Sequence, residues 1–206
     1  MNEKRHESVQ TAIKTVKELL SLNLSIPDYQ RPYKWGVKHV EQLLHDLMAI
    51  HHDKSGSRYR LGTIVLYQNR KSDRALEIVD GQQRIVTLLL ILKAALDLSE
   101  RKPVEVEAEV EKKLQKFEFP HHISQENLAK NYQVIQRFVR GPDFDVESVH
   151  SILNGCDVVC FTLSDLSEAF QFFDSQNSRG KDLEPHDLLK AYHLREFSKE
   201  GEVNKK

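Results

Sequence analysis

Apolar positions along the first third of the chain recur at helical spacing. Val9, Ala12, Ile13, Val16, Leu19 and Leu20 predict one amphipathic helix, and Val40, Leu43, Leu44, Leu47 and Met48 predict a second with one buried face. Between them Leu24–Ile26 reads as a short extended piece, because Pro27 keeps the residue before it out of helical geometry. The second helix runs out in a polar loop that begins near His51-His52-Asp53. The period then changes. Tyr59–Tyr67 and Ala75–Val79 read as strands, and the short polar link from Gln68 to Arg74 makes them antiparallel neighbours. From Ile85 to Leu92 the chain is apolar nearly all round, which predicts a buried central helix entered through the turn at Asp80-Gly81.

The second half is patterned differently. From Arg101 to Gln115 it is charged, rich in glutamate and interrupted by Pro103, as expected of a boundary or a mobile insert. Leu128, Tyr132, Ile135 and Val139 form another helical stripe, stopped by Gly141-Pro142, and Val146–Leu153 reads as a shorter helix. Cys156–Leu163 has the apolar run of a buried strand, followed by a helix opened by Asp165 and Glu168 as a variant capping box. Gly180 suits the end of that helix, Pro185 the first turn of a last one reaching Phe197, and the tail from Ser198 is polar. These elements predict an α+β chain, a small mixed sheet embedded in helices. Residues 1–100 would form the core, 101–153 a helical insert, and 154–206 the return strand and closing helices of the same domain.

Charge narrows the function. Lys and Arg number 30 against 31 for Asp and Glu, a net charge of −1, so no global basic field draws in nucleic acid and any DNA contact must be local. No long apolar run suits a membrane span, and the charged Met1–Glu7 start has no signal core, so the expectation is a soluble, cytoplasmic protein. Cys156 and Cys160, four apart on one strand, would lie roughly 13 Å apart, too far for a disulfide. They read as buried free thiols. The histidine pairs His51-His52 and His121-His122 read as solvated loop residues.

The chemistry concentrates in three blocks. Glu77-Ile78-Val79-Asp80-Gly81-Gln82-Gln83-Arg84 reads as strand, tight turn and helix entry. Asp80 suits the helix cap, Gly81 allows close backbone approach, the first-turn N–H groups form an anion site, and Arg84 points at the same anion. Tyr29-Gln30-Arg31-Pro32-Tyr33-Lys34-Trp35 gathers aromatic and cationic groups: Tyr33 and Trp35 are able to stack a base, Gln30 and Arg31 to reach phosphate or base edges. Asn177-Ser178-Arg179-Gly180 joins an amide, a hydroxyl and a guanidinium on a loop able to close over phosphates. Each block also has a purely structural explanation: Asp80 as a cap with Arg84 paired elsewhere, Trp35 as a core anchor with Arg31 in an ion pair, and Arg179 as a solvated charge beside a helix end. No phosphate-binding G-x-x-x-x-G-K-[ST] loop is present.

On these three blocks, which together span about residues 10–197, the chain resembles the DGQQR-motif family found at the N-terminus of GmrSD-type modification-dependent restriction enzymes and related phage-defence proteins. The resemblance implies a core similar to that of ParB and sulfiredoxin, with phosphates on a helix N-terminus beside an arginine. It implies an NTPase in which Asp80 and Arg84 are catalytic and Gln30, Arg31, Gly81, Gln82, Gln83, Asn177, Ser178 and Arg179 bind the nucleotide. Mg2+ would enter with the triphosphate, with Asp80 as its ligand. Larger relatives carry a second domain with a histidine-based nuclease motif beyond the region that ends here near Phe197. The expected partner is therefore a separate or removed nuclease, and this chain is not expected to cut DNA by itself. The expected role is nucleotide-regulated control of a DNA-targeting restriction or defence system. The alternative is a non-catalytic module that senses nucleotide or modified DNA, or neutralises a partner protein. Oligomer formation and the preferred base stay open.

Overall fold

In the computed structural model, residues 9–53, 56, 58–68, 75–98 and 104–177 are described, the last helix and residues 104–107 in part by backbone only. The chain runs β1 (Gln10–Thr15), α1 (Val16–Ser21), β2 (Leu24–Ser25), α2 (Val37–His52), β3 (Tyr59–Gln68), β4 (Leu76–Asp80), α3 (Gln82–Leu98), α4 (Val104–Lys116), α5 (His122–Val139), α6 (Val146–His150), β5 (Cys156–Leu163) and α7 (Leu166–Asn177). A π-helical turn, Ser151–Gly155, joins α6 to β5. This is the predicted α+β class: among the described residues, seven helices about a mixed open sheet of five strands in the order β1-β5-β3-β4-β2.

β3 and β4 are antiparallel, as their short link requires, while β5 returns parallel to β3 and antiparallel to β1. β2 adds a brief parallel pairing to β4. Strand alternation sends the two faces of the sheet to different cores. Ile64, Leu66, Ile78, Val158 and Cys160 join the main core with α1, α2, α3 and α5. Val65, Val79 and Leu163 face Ala169 of α7 in a smaller one. α3 is buried on nearly every side, as its unbroken apolar run predicts, and carries the turn that precedes it on a rigid support.

Three expectations need correction. The opening helix is instead strand β1 followed by the short α1. Residues Gln10–Thr15 pair with Thr162–Asp157 across β5, which leaves Val9 and Ile13 exposed at 43% and 56%. The helix begins only after Thr15, whose side chain accepts the Glu18 N–H at 3.1 Å while Glu18 takes the Thr15 N–H at 2.7 Å. His51 and His52 close α2 rather than lying in a loop, and His51 hydrogen-bonds Ser151 Oγ at 3.2 Å. His122 opens α5. Part of the charged stretch forms the regular helix α4, with Val110 in the core, Phe117 just past its end also in the core, and Lys113 paired to Glu109 at 3.1 Å. At α7 the capping reading holds: the Glu168 N–H donates to Asp165 Oδ1 at 2.9 Å. Cys156 and Cys160 are free and buried. The proposed helix from Pro185 to Phe197 lies outside the described residues.

Candidate functional site

β4 ends at Asp80, and the chain turns through Gly81 into α3. Gly81 has φ +93°, and a Cβ there would run into Ile64 Cδ1, so the position demands glycine on two counts. The Gly81 carbonyl accepts the Ile85 N–H at 3.0 Å, so Gly81 occupies the cap position that the sequence assigned to Asp80. Asp80 is the last strand residue, and its carboxylate takes the Gly81 N–H. Burial pushes the Asp80 carboxyl above the ordinary range, opposed by that hydrogen bond and by the charges of Arg31 and Arg84. Burial in turn pulls the Arg84 guanidinium below its ordinary value, opposed chiefly by Asp80.

Arg84 reaches back over β3. Its Nη1 donates to the Thr63 carbonyl at 3.2 Å, and a Cβ on Gly62 would sit 3.1 Å from its Nη2. Gly62 has φ +118° and lies where the β3–β5 register shifts. The sequence reading passed over this residue, although glycine inside a strand marks a bulge or a close approach. Here the bulge makes room for the guanidinium.

The opening motif is tied to the same turn by two glutamines. Gln30 Nε2 donates to the carbonyls of Ile78 and Val79 at 2.7 and 2.6 Å, just before Asp80. Gln83 Oε1 accepts the N–H groups of Lys34 and Trp35 at 2.7 and 3.0 Å, and its Nε2 donates to the Pro32 carbonyl at 3.1 Å. Segments about fifty positions apart are thus stapled on both sides of Arg31, which sets its charge against Asp80. Tyr29 is fixed too, its hydroxyl on Glu77 Oε2 at 3.1 Å and its ring edge-on to Phe170 at 5.4 Å.

Tyr33 corrects the stacking expectation. It is 0% exposed, so it has no face for a base. Thr87 gives its single hydroxyl proton to the Gln83 carbonyl at 2.8 Å, so Tyr33 must donate to Thr87, at 2.8 Å, and accept from Asn131 Nδ2 at 3.0 Å. Trp35 packs on the main core and stacks on His39 at 5.8 Å.

Of the residues singled out in the sequence, Gln30, Arg31, Asp80, Gly81, Gln83 and Arg84 meet at this turn. Gln82 faces another way, into a cavity of about 450 Å³ that Gln30 and Arg31 also line. The Asn177 side chain, Ser178 and Arg179 lie outside the described residues. The chain matches the GmrSD restriction endonuclease N-terminal domain over residues 15–194, a span that contains all three motif blocks. The chain belongs to the GmrSD N-terminal domain family. No curated protein gives a significant match. In this GmrSD-type domain the DGQQR turn follows β4, which lies between β3 and the edge strand β2; the charges of Arg31 and Arg84 act on its Asp80, and the buried helix α3 continues from it. Among the described residues no helix is long and apolar enough to cross a membrane, and no three His, Cys, Asp or Glu side chains gather as a metal site.

Proposed function

We propose that the chain binds a nucleoside triphosphate at the β4–α3 turn and hydrolyses it, and that the cycle regulates a DNA-targeting restriction or phage-defence system together with a nuclease domain or partner. The observation that carries this reading is the half-buried Asp80 carboxylate, set at the N-terminus of α3 with Arg31 and Arg84 acting on it. A structural ion pair needs one arginine; a second leaves positive charge to be met by an anion. The first-turn N–H groups of α3 lack intrahelical acceptors and aim the same way. Arg84 and Arg31 would hold phosphate oxygens, as guanidinium groups do in fork geometry. Asp80, kept above the usual carboxylate range by burial, would orient the attacking water. Asn177, Ser178 and Arg179 would complete the phosphate contacts.

Mg2+ fits this donor set only as a companion of the triphosphate. Asp80 offers one carboxylate ligand, and phosphate oxygens and water would fill the rest, the usual arrangement for this ion. When bound, it would neutralise charge developing on the phosphates.

Calorimetry and phosphate release test the reading together. Arg84→Ala is expected to lose about 1.5–3 kcal/mol of triphosphate affinity, the worth of a charge-assisted hydrogen bond. Asp80→Asn is expected to keep binding and lose phosphate release. Equal affinity in wild type and Arg84→Ala would overturn the site. Binding without release by the wild type would favour the non-catalytic sensing role.

A further inference from the structure

We propose that the cavity beside Gln82 is a nucleobase pocket, in which the Gln82 amide pairs with the edge of the base; the proposal rests on the nucleotide reading above. Gln82 opens α3 and is 4% exposed, yet its Oε1 has no hydrogen-bond partner. A buried amide oxygen left unpaired is costly, and an apolar residue of the same size would pack there without that cost. The neighbouring glutamine shows that this fold can satisfy a buried amide: Gln83 makes bonds to Pro32, Lys34 and Trp35. Gln82 instead lines the cavity of about 450 Å³, a volume in the range of small-molecule sites.

The charges around the cavity favour a neutral ligand over a second phosphate. Arg31 and Lys116 are balanced by Asp28 and Glu118. Lys116 already donates to Asn23 Oδ1 at 2.8 Å, and burial together with Lys113 and Lys112 weakens its hold on its proton. Pro27 and Phe119 add apolar wall. A nucleobase answers each feature: it is planar and uncharged, and its pairing edge sets a donor beside an acceptor, the complement of a side-chain amide. Arg31 connects the two regions, since it lines the cavity and also acts on Asp80. A nucleotide with its base at Gln82 would thus reach the DGQQR turn by passing this arginine.

The test separates base from phosphate. Side-chain and backbone amide signals of the whole chain are followed by NMR while adenosine, guanosine, cytidine, uridine and inorganic tripolyphosphate are added separately. The Gln82 NH2 signal is assigned by its absence from Gln82→Leu. At least one nucleoside is expected to move that signal, whereas tripolyphosphate is expected to move Gly81 N–H and Arg84 Nε–H. In calorimetry Gln82→Leu is expected to bind the matching triphosphate about tenfold more weakly, the loss of one hydrogen bond of ordinary strength, with tripolyphosphate as the control that stays put. If no nucleoside moves the Gln82 signal, or if tripolyphosphate is what moves it, the base pocket is wrong. If tripolyphosphate leaves Gly81 and Arg84 unchanged while a nucleoside still moves Gln82, the pocket stands and the phosphate site is what fails. Thermal denaturation of Gln82→Leu checks the fold, and it should be no less stable than the wild type.

Discussion

Gly81 is where a single residue decides the geometry of the site. Its positive φ turns the chain from strand to helix, and its missing Cβ lets Ile64 close underneath. Gly81→Ala combines backbone strain with a clash and should destabilise the domain by about 1–3 kcal/mol in urea denaturation; an unchanged midpoint would show that the turn relaxes. Two other residues report the interior. Burial, with Asp157 adding, pushes the Cys156 thiol from 9.0 up to about 12, and burial pushes Cys160 up to about 11. Both thiols should be silent to a thiol reagent at pH 8 in the native protein and react once it is unfolded. The linkage has a definite sign. Above the ordinary thiol value of 9.0 the unfolded chain gives up protons that the folded chain keeps. This contribution to stability is complete below that value and is lost as pH rises through about 11 and about 12. A stability curve that climbs with pH across that window through these thiols would contradict their burial.

At the scale of elements, the opening motif and α3 act as one unit because Gln83 joins them. Gln83→Ala leaves the N–H groups of Lys34 and Trp35 and the carbonyl of Pro32 without their partner. We expect a loss of about 2–3 kcal/mol in stability. Trp35, the single tryptophan, should report loosening of its loop by fluorescence in the same titration. A variant as stable as the wild type would mean that the staple is replaceable by water. Elements also explain what the sequence reading missed. The stripe Val9, Ile13, Val16, Leu20 fits a helix, but pairing with β5 satisfies the backbone of Gln10–Thr15 and overrides the period. A local signal was present, since Thr15 and Glu18 have capping-box spacing and mark where the helix truly begins.

For the whole molecule, near balance of charge governs what the chain can do with DNA. With a net charge of −1, non-specific binding at physiological salt is expected to be weak. Purified chain should leave modified and unmodified plasmid intact with magnesium or manganese, with or without nucleotide. Metal-dependent nicking that survives Asp80→Ala and stays with the protein through several columns would reveal a nuclease site. The sheet order has its own consequence. β5 returns more than ninety positions later in the sequence to lie parallel to β3, where Val159 pairs with Thr63, whose carbonyl holds Arg84.

Sequence alone determined the features that depend on neighbours along the chain. The buried α3, the β3–β4 pair, the strand-turn-helix at Asp80-Gly81 and the free cysteines all follow from period, turn chemistry and reach, and these are local properties. Tertiary structure alone decided which polar group does what. Gln82 and Gln83 are adjacent and chemically identical, but successive helix positions point about 100° apart. One therefore locks the opening motif while the other is left facing a cavity. Tyr33 read from the sequence as a stacking surface, but α5 supplies Asn131 and the residue is closed into the core. Those outcomes depend on how distant elements dock, where a hydrogen bond between residues about fifty or a hundred positions apart either forms or does not, and no local pattern encodes that.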